Sequence, residues 1–133
     1  MADFRILVTG SRDWTYAEAI RFELAGLSLL HRGNVVVVHG ACPKGADRIA
    51  DLVARELGLR VERHPADWTR HGKRAGFVRN AEMVALGASV CLAGILPCTD
   101  AKCRRPGPHG SHGASHCAHL AEANGIETRR FNG

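Results

Sequence analysis

Three polar segments, each following an apolar run, contain the residues best suited to chemistry in this chain. They read GSRDW at 10–14, HGACPKGAD at 39–47 and HPADWTRHGKRAGFVRN at 64–80. Glycine lets the backbone approach a ligand closely, and the N–H groups at the start of a helix bind anions. Arginine and lysine add positive charge beside those groups. The combination predicts a binding site for a negatively charged small molecule.

The first segment combines a tight turn with two opposite charges. Gly10 and Ser11 allow the backbone to turn beside a ligand, and Arg12 can pair with a phosphate or carboxylate through its planar guanidinium. Asp13 can accept a hydrogen bond from a ribose hydroxyl or act as a base. The competing interpretation makes Arg12 a solvated surface charge and Asp13 a helix cap.

The second segment joins a buried strand to a helix through small residues. Gly40 and Gly45 allow close approach, Lys44 adds a point charge, and Asp47 stands in the first turn of the next helix. Neither the G-x-x-x-x-G-K-[ST] pattern of a P-loop nor the G-x-G-x-x-G dinucleotide fingerprint is present. Glycine loops of this kind also serve packing alone, and Asp47 also fits a merely favourable first-turn charge. The loop therefore predicts an anion site only together with its neighbours.

The third segment is rich in cations and contains one aromatic ring. Trp68 either stacks on a base or covers the core. Arg79 and Asn80 lie about one turn into a predicted helix, from where they could reach the end of the sheet. The remaining cations either bind an anion or form a solvated face, and they are Arg70, His71, Lys73 and Arg74.

The stretch 95–119, ILPCTDAKCRRPGPHGSHGASHCAH, is dense in cysteine and histidine. Thiolate and imidazole are the usual zinc ligands, and a structural site takes four of them. The predicted ligands of such a structural zinc are Cys98, Cys103, His109 and His112, and the metal would order a segment with little apolar content. The competing interpretation leaves the histidines on the surface or in contact with a ligand phosphate.

These segments need a scaffold that brings the ends of several strands together. Apolar, β-prone runs alternate with amphipathic helical patterns. The predicted strands are 4–9, 34–39, 59–65, 88–94 and 126–131. This alternation predicts the α/β class, as a Rossmann-like open parallel sheet of about five strands with helices on both faces. Such sheets bind ligands at the carboxyl ends of their strands, where the polar segments lie.

Length and composition restrict the partners. The 133 residues predict a single domain over 1–133, with an inserted Cys/His/Pro-rich loop at about 95–112. The formal net charge of +5 favours anionic partners, namely nucleotides, other phosphorylated small molecules or nucleic acid. No apolar run is long enough to cross a membrane, and the N-terminus lacks a secretory pattern. The expected location is the cytoplasm, or the host cytoplasm for a phage protein.

Several motifs occur together in the order of a known family. They are VTGSRDW, HGACPKGADRIA, PADW, AGFVRNAEM and GASHCAHLAEANGIE. As a set they resemble the YspA-like branch of the SLOG superfamily, which includes the LOG phosphoribohydrolases and the DNA-processing protein DprA. The resemblance covers nearly the whole chain outside about 95–112, and it implies a phage or actinobacterial member. It also implies a Rossmann-like fold with a pocket for a nucleotide or nucleotide derivative.

The resemblance further implies roles for individual residues. By their positions in the motifs, it implies that eight residues lie near the ligand, namely Gly10, Ser11, Arg12, Gly40, Gly45, Asp47, Arg79 and Asn80. Gly113 corresponds to a glycine-threonine turn that opens the final helix of relatives and faces a phosphate. LOG enzymes carry P-G-G-x-G-T-x-x-E at this turn, and its glutamate serves catalysis. This chain reads GSHGASHC instead, with Ala114 at the threonine position.

The missing glutamate leaves open whether a reaction follows binding. If a glycosidic bond is cleaved, Asp13, Asp47 or Asp67 has to supply the carboxylate. The functions in view are a nucleotide-binding sensor or nucleotide-processing enzyme, a single-stranded nucleic-acid-binding protein like DprA, and an interaction module with a degenerate pocket. For nucleic acid, the base-stacking candidates are Trp14, Tyr16 and Trp68. A homodimer is also expected, because relatives of this fold often self-associate.

Overall fold

Strands and helices alternate along the part of the chain that the structure describes, except that two helices and a 3-10 turn follow one another after the third strand. The computed structural model describes residues 3–99, 103 and 110–132. The elements are β1 Phe4–Gly10, α1 Ala17–Leu30, β2 Val35–His39, α2 Ala46–Glu56, β3 Arg60–Arg63, α3 Trp68–His71, a 3-10 turn Gly72–Arg74, α4 Ala75–Ala85, β4 Val90–Gly94, α5 His112–Ala123 and β5 Glu127–Phe131. Within the described ranges, none of the helices combines the length and apolar character needed to cross a bilayer.

The strands form one parallel sheet with the order β3-β2-β1-β4-β5. β1 lies at its centre, where Leu7 pairs with Val38 of β2 and with Cys91 of β4. This arrangement confirms the predicted α/β class and the Rossmann-like open parallel sheet. The strand order reverses between β1 and β4, which is where open parallel sheets bind their ligands.

Apolar side chains cover both faces of the sheet, because successive strand residues point to opposite sides. Ile6 of β1 packs in a cluster with helices α1 and α2, which includes Leu24. Leu7 belongs to a second cluster, with Met83 of α4 and Cys117 of α5. Helices therefore lie on both faces, and the two cores fix the strand ends relative to each other.

Trp14, which follows β1, is a core residue. Its side chain is only 1% exposed and makes an edge-to-face contact with Phe131, with the ring centroids 5.4 Å apart. The indole Nε1 donates a hydrogen bond to the Tyr16 carbonyl (2.9 Å). A buried ring cannot stack on a nucleic-acid base, so the prediction of Trp14 as a stacking residue is wrong. Tyr16 and Trp68 do stay exposed.

Residues 68–74 lie in the third polar segment, outside every predicted strand, and they form α3 and the 3-10 turn. Asp67 caps α3, because its carboxylate accepts a hydrogen bond from the Arg70 N–H (3.0 Å). A helix this short has no buried residues, so no apolar periodicity announces it.

Candidate anion-binding site

Ser11, the first residue after β1, connects several segments at the carboxyl edge of the sheet. Its N–H donates to the Gly94 carbonyl at the end of β4 (2.9 Å). Its hydroxyl oxygen accepts from the Leu96 N–H (2.8 Å) and lies 2.6 Å from the hydroxyl of Ser111, the N-cap residue of α5. Ser11 is only 6% exposed, so water competes little for these bonds. They hold the loop after β1 against the end of β4 and the start of α5.

The start of α2 lies against the same loop. The Ala46 N–H donates to the Ser11 carbonyl (3.3 Å). Gly45 has a φ of +76°, and a Cβ there would lie 2.4 Å from the Ser11 oxygen and 2.5 Å from the Arg12 oxygen. Gly10 is equally confined, since its Cβ would lie 2.3 Å from the Ala46 Cβ. These two glycines therefore allow β1 and α2 to meet in direct backbone contact.

Arg79 reaches the sheet edge as predicted, but its guanidinium binds the protein's own backbone. Nη1 donates to the carbonyl of Gly40 (2.5 Å) and, at longer range, to that of His64 (3.5 Å). Nε donates to Asn80 Oδ1 (3.0 Å). A Cβ at Gly40 would lie 2.5 Å from Nη1, so this glycine makes room for the arginine. Arg79 therefore ties the ends of β2 and β3 to α4.

Asn80 connects α4 to the start of α5. It is 3% exposed, and its Nδ2 donates to the Gly113 carbonyl (3.2 Å) and to His116 Nδ1 (3.3 Å). Burial lowers the pKa of His116, with a smaller effect from nearby His119, and this favours the neutral ring that can accept the bond. A Cβ on Gly113 would meet no atom of the described residues within 4 Å. The first turn of α5 is thus anchored by Asn80 and open at Gly113.

Asp47 is buried inside the loop that follows β2. Its carboxylate, in a residue only 7% exposed, accepts a hydrogen bond from the Cys42 N–H (3.2 Å). Burial raises the pKa of Asp47, against the opposing effects of that hydrogen bond and of the Arg79 charge. The loop includes Ala41 at a φ of +58°, a conformation that residues other than glycine adopt only where surrounding contacts hold them. Asp47 therefore helps to hold the conformation of this loop through its hydrogen bond to the Cys42 N–H.

Exposed side chains from three loops surround the same edge. The guanidinium carbon of Arg12 lies 5.8 Å from the centroid of the Trp68 ring, which is half exposed. Lys44 Nζ lies 3.4 Å from Asp13 Oδ1, and both side chains are about two-thirds exposed, so this pair adds little stability. The two contacts bring the loops after β1, β2 and β3 to one opening.

A buried polar cluster beside this edge was not predicted. His39, at the end of β2, is 2% exposed; its Nδ1 accepts from the Ala41 N–H (2.9 Å), so Nε2 carries the proton donated to Asp51 (2.7 Å). The hydrogen bond from Arg63 (2.7 Å) is the main cause that lowers the pKa of Asp51 to about 2. Asp51 stands one helical turn after Asp47, and that spacing was the signal in the sequence.

Comparison with known proteins places this chain in a family. A family model described as the YspA, cpYpsA-related SLOG family matches residues 4–71, slightly more than half of the chain. The chain belongs to this family. It is 43% identical over 134 residues to the Gene 61 protein of Mycobacterium phage D29, an alignment that covers 96% of this chain and 95% of the relative. No solved structure gives a significant match. The predicted SLOG membership and the expected phage relatives are confirmed.

In this SLOG chain, the part beyond the family match contains a compact cysteine and histidine cluster. Cys98, Cys103 and His112 are half-buried, and their ligand atoms all lie within 4.8 Å of one another. His109, the fourth predicted metal ligand, lies outside the described residues. Because His112 directly follows Ser111, the cluster adjoins the contacts that Ser11 makes.

Proposed function

We propose that this protein binds a nucleotide or nucleotide derivative by its phosphate group at the carboxyl edge of the sheet. One observation carries the proposal: Ser11 contacts both the first residue of α2, Ala46, and the N-cap of α5, Ser111. Two helix starts at one edge direct the positive ends of two helix dipoles toward the same region. That region lies beside the reversal of strand order, where nucleotides bind to sheets of this order.

The phosphate would bind between the two helix starts. The backbone donors would be the first-turn N–H groups of α5 and those of α2 after Ala46, whose own N–H donates to the Ser11 carbonyl. The open side of Gly113 leaves room next to them. Arg12 and Lys44 add positive charge at the exposed mouth. Arg79 and Asn80 support the site from beneath, because they bind Gly40 and Gly113 rather than the mouth itself.

Trp68 is the candidate platform for the base. Its ring is half exposed and already has the Arg12 guanidinium near it. Stacking of a base on an exposed aromatic ring contributes about 1–3 kcal/mol to binding, and it tolerates different bases. A ligand that spans from the helix starts to Trp68 would need both a phosphate and an aromatic group, which fits a nucleotide better than a free phosphate.

The environments of the three candidate catalytic carboxylates favour a binding protein over a hydrolase. Asp47 is buried and hydrogen-bonded to its own loop, and Asp67 caps α3. Asp13 is exposed at the mouth and, unlike Asp67, does not cap a helix, so it is the residue to test if a glycosidic bond is cleaved. Ala114, which replaces the threonine of LOG enzymes, is 4% exposed and packs in the core, where it offers no hydroxyl to a ligand.

Thermal-shift titration with nucleoside monophosphates, nucleoside diphosphates, ADP-ribose and NAD-type compounds tests the proposal. At least one of these should raise the Tm of the wild-type protein. The variants Arg12→Ala and Trp68→Ala should weaken its binding about tenfold or more, because a charge-assisted bond or a stacking contact is lost.

The matched control is Arg32→Ala. Arg32 is an exposed arginine that precedes β2, so it lies at the opposite edge of the sheet. Its substitution by alanine changes the net charge by the same amount as Arg12→Ala. The affinity of the Arg32→Ala variant for the compound should equal that of the wild type. If no compound raises the Tm, or if Arg12→Ala binds as well as Arg32→Ala, the proposed site is wrong.

A second candidate function is binding of single-stranded nucleic acid. The exposed cations Arg70, Lys73 and Arg74 follow the half-exposed Trp68 along α3 and the 3-10 turn. Such binding should weaken steeply as salt rises, because counterions are released from the phosphates. Fluorescence anisotropy with labelled single-stranded DNA checks this, and unchanged anisotropy at low salt would exclude it. The predicted homodimer stays a prediction.

A further inference from the structure

Cys98, Cys103 and His112 direct three ligand atoms to one point beside the start of α5. The two sulfur atoms lie 3.4 Å and 3.3 Å from the same nitrogen, His112 Nε2. An imidazole nitrogen has one N–H or one lone pair in the ring plane, so it forms a single good hydrogen bond. Two sulfurs that converge on this nitrogen are therefore explained better by a shared metal ion than by hydrogen bonding.

The spacing of these atoms matches a tetrahedral zinc site. With Zn–S near 2.3 Å and Zn–N near 2.1 Å, a tetrahedron separates sulfur from nitrogen by about 3.6 Å. The two observed distances, 3.4 Å and 3.3 Å, fall just short of this value. Thiolate and imidazole select zinc over magnesium or calcium, which prefer oxygen. We infer that Cys98, Cys103 and His112 bind one zinc ion.

The backbone positions two of the three ligands, Cys98 and His112, without help from the metal. Pro97 and Gly110 form an antiparallel bridge, and Cys98 follows the first while His112 lies two residues after the second. His112 is also the first residue of α5, so the helix fixes its direction. Ligands held in this way lose less conformational entropy when they bind an ion.

Zinc at this point would hold the first turn of α5 at the sheet edge. Ser111, which precedes His112, donates its N–H to the Leu96 carbonyl (2.8 Å) and contacts the Ser11 hydroxyl. The inference does not depend on nucleotide binding, because it rests on the three ligand atoms alone. Three protein ligands leave the fourth tetrahedral position to water or to another ligand.

Two of the other cysteines have a different environment. Cys91 and Cys117 are fully buried, and burial raises the pKa of both thiols, that of Cys117 to about 11. They remain protonated core residues at neutral pH, whereas metal binding needs the thiolate. A disulfide between Cys98 and Cys103 is the competing use of these two cysteines, and the test has to separate it from metal binding.

Metal analysis tests the inference on protein expressed with added zinc and purified without a histidine tag or nickel column. The wild type should hold about one zinc per chain. The variants Cys98→Ser, Cys103→Ser and His112→Ala should each lose most of it, while Cys42→Ser, a cysteine outside the cluster, should retain it. Far-ultraviolet circular dichroism confirms that each variant is folded.

Cobalt(II) exchanged for zinc gives a second readout. The wild type and Cys42→Ser should show a thiolate-to-cobalt charge-transfer band, and Cys98→Ser should show a weaker one, because one thiolate ligand is gone. A zinc content below about 0.3 per chain after zinc addition, where a bound site requires about one, would overturn the inference. So would a Cys98–Cys103 disulfide in protein kept under reducing conditions, detected by mass spectrometry after alkylation.

Discussion

The loops after β1 and β2 meet through backbone atoms in direct contact. The segment after β4 instead meets the first of them at the Ser11 hydroxyl, through the Leu96 N–H and the Ser111 hydroxyl, and it adjoins the cluster of Cys98, Cys103 and His112. We call residues 10–14 and 39–47 the glycine half of the edge and the described residues of 95–112 the cysteine half. In the glycine half, Gly10 and Gly45 leave no room for a Cβ. In the cysteine half, a single bridge joins Pro97 to Gly110. Sterics therefore fix the first half, while the second should respond to metal.

The largest expected effect is that of Gly45→Ala. The new Cβ would have to occupy space 2.4 Å from the Ser11 oxygen in a residue with a φ of +76°. Backbone strain and the clash together should lower the free energy of unfolding by about 3 kcal/mol or more, measured by urea denaturation. Gly58→Ala is the control, since Gly58 has a φ of +72° but open space around it, and it should cost only about 1 kcal/mol. Equal losses would mean that close contact does not hold the glycine half.

Metal removal should affect only the cysteine half. If zinc is present at about 100 times its dissociation constant, a chelator should lower the free energy of unfolding by about 3 kcal/mol. The same chelator should leave the Tm of Cys98→Ser unchanged. If the chelator leaves the wild-type Tm unchanged, the cysteine half is not stabilised by metal and does not differ from the glycine half in this respect.

Asn80→Ala should loosen the contact between α4 and the start of α5. The substitution leaves the Gly113 carbonyl and the Arg79 Nε–H without the bonds that Asn80 supplies. A loss of about 2 kcal/mol in the free energy of unfolding is expected, because buried polar groups become unpaired. Asn124→Ala, which removes an exposed hydrogen bond to Leu120, should cost well under about 1 kcal/mol. Comparable losses in the two variants would contradict the role assigned to Asn80.

Acid pH should weaken the polar cluster beside the glycine half. The pKa of Asp51 is about 2, below that of an unfolded chain, so its ion pairs stabilise the fold fully above about pH 5 and lose this effect as pH falls toward 2. Asp51→Asn should be less stable than the wild type at pH 7, and the difference should shrink by about 1–2 kcal/mol on going to acid. Glu127→Gln, in an exposed pair with Arg129, should differ from the wild type by only a small amount at pH 7. A difference between Asp51→Asn and the wild type that does not change with pH would contradict the role assigned to Asp51.

The fold was predictable because its signals are local. Apolar runs such as 34–39 alternate with helical patterns, and that alternation leaves few other architectures. The polar segments were also predictable as neighbours, since parallel strands end at the same edge. The sequence places Ser11, Gly45 and Gly113 at three separate points of the chain, and contacts around Ser11 and Asn80 bring them to that edge.

The partners of individual side chains could not be predicted, because they depend on pairing across the sheet. Arg79 was expected at a ligand, yet it donates to the Gly40 carbonyl. Trp14 was considered for base stacking, yet it packs against Phe131. Asp51 belongs to a cluster with His39, which becomes a neighbour only when α2 lies on β2. Such contacts join residues whose separation along the chain carries no local pattern.

The smallest expected effect on stability is that of Arg12→Ala, since its side chain is exposed. The free energy of unfolding should change by less than about 0.5 kcal/mol. Affinity for the nucleotide should nevertheless fall, and the two measurements on one variant separate binding from folding. A large loss of stability would mean that Arg12 supports the loops rather than the ligand.

The most direct test of the central claim is an NMR titration that follows the amide chemical shifts. The titrant is the nucleotide that raises the Tm most. We predict that the largest changes occur at Asp47, Arg48 and Gly113, whose amides lie in the first turns of α2 and α5. The amides of Asn34 and Ser89, before β2 and β4 at the opposite edge, should stay nearly unchanged. Changes centred on that opposite edge, or none at all at saturating nucleotide, would contradict the account.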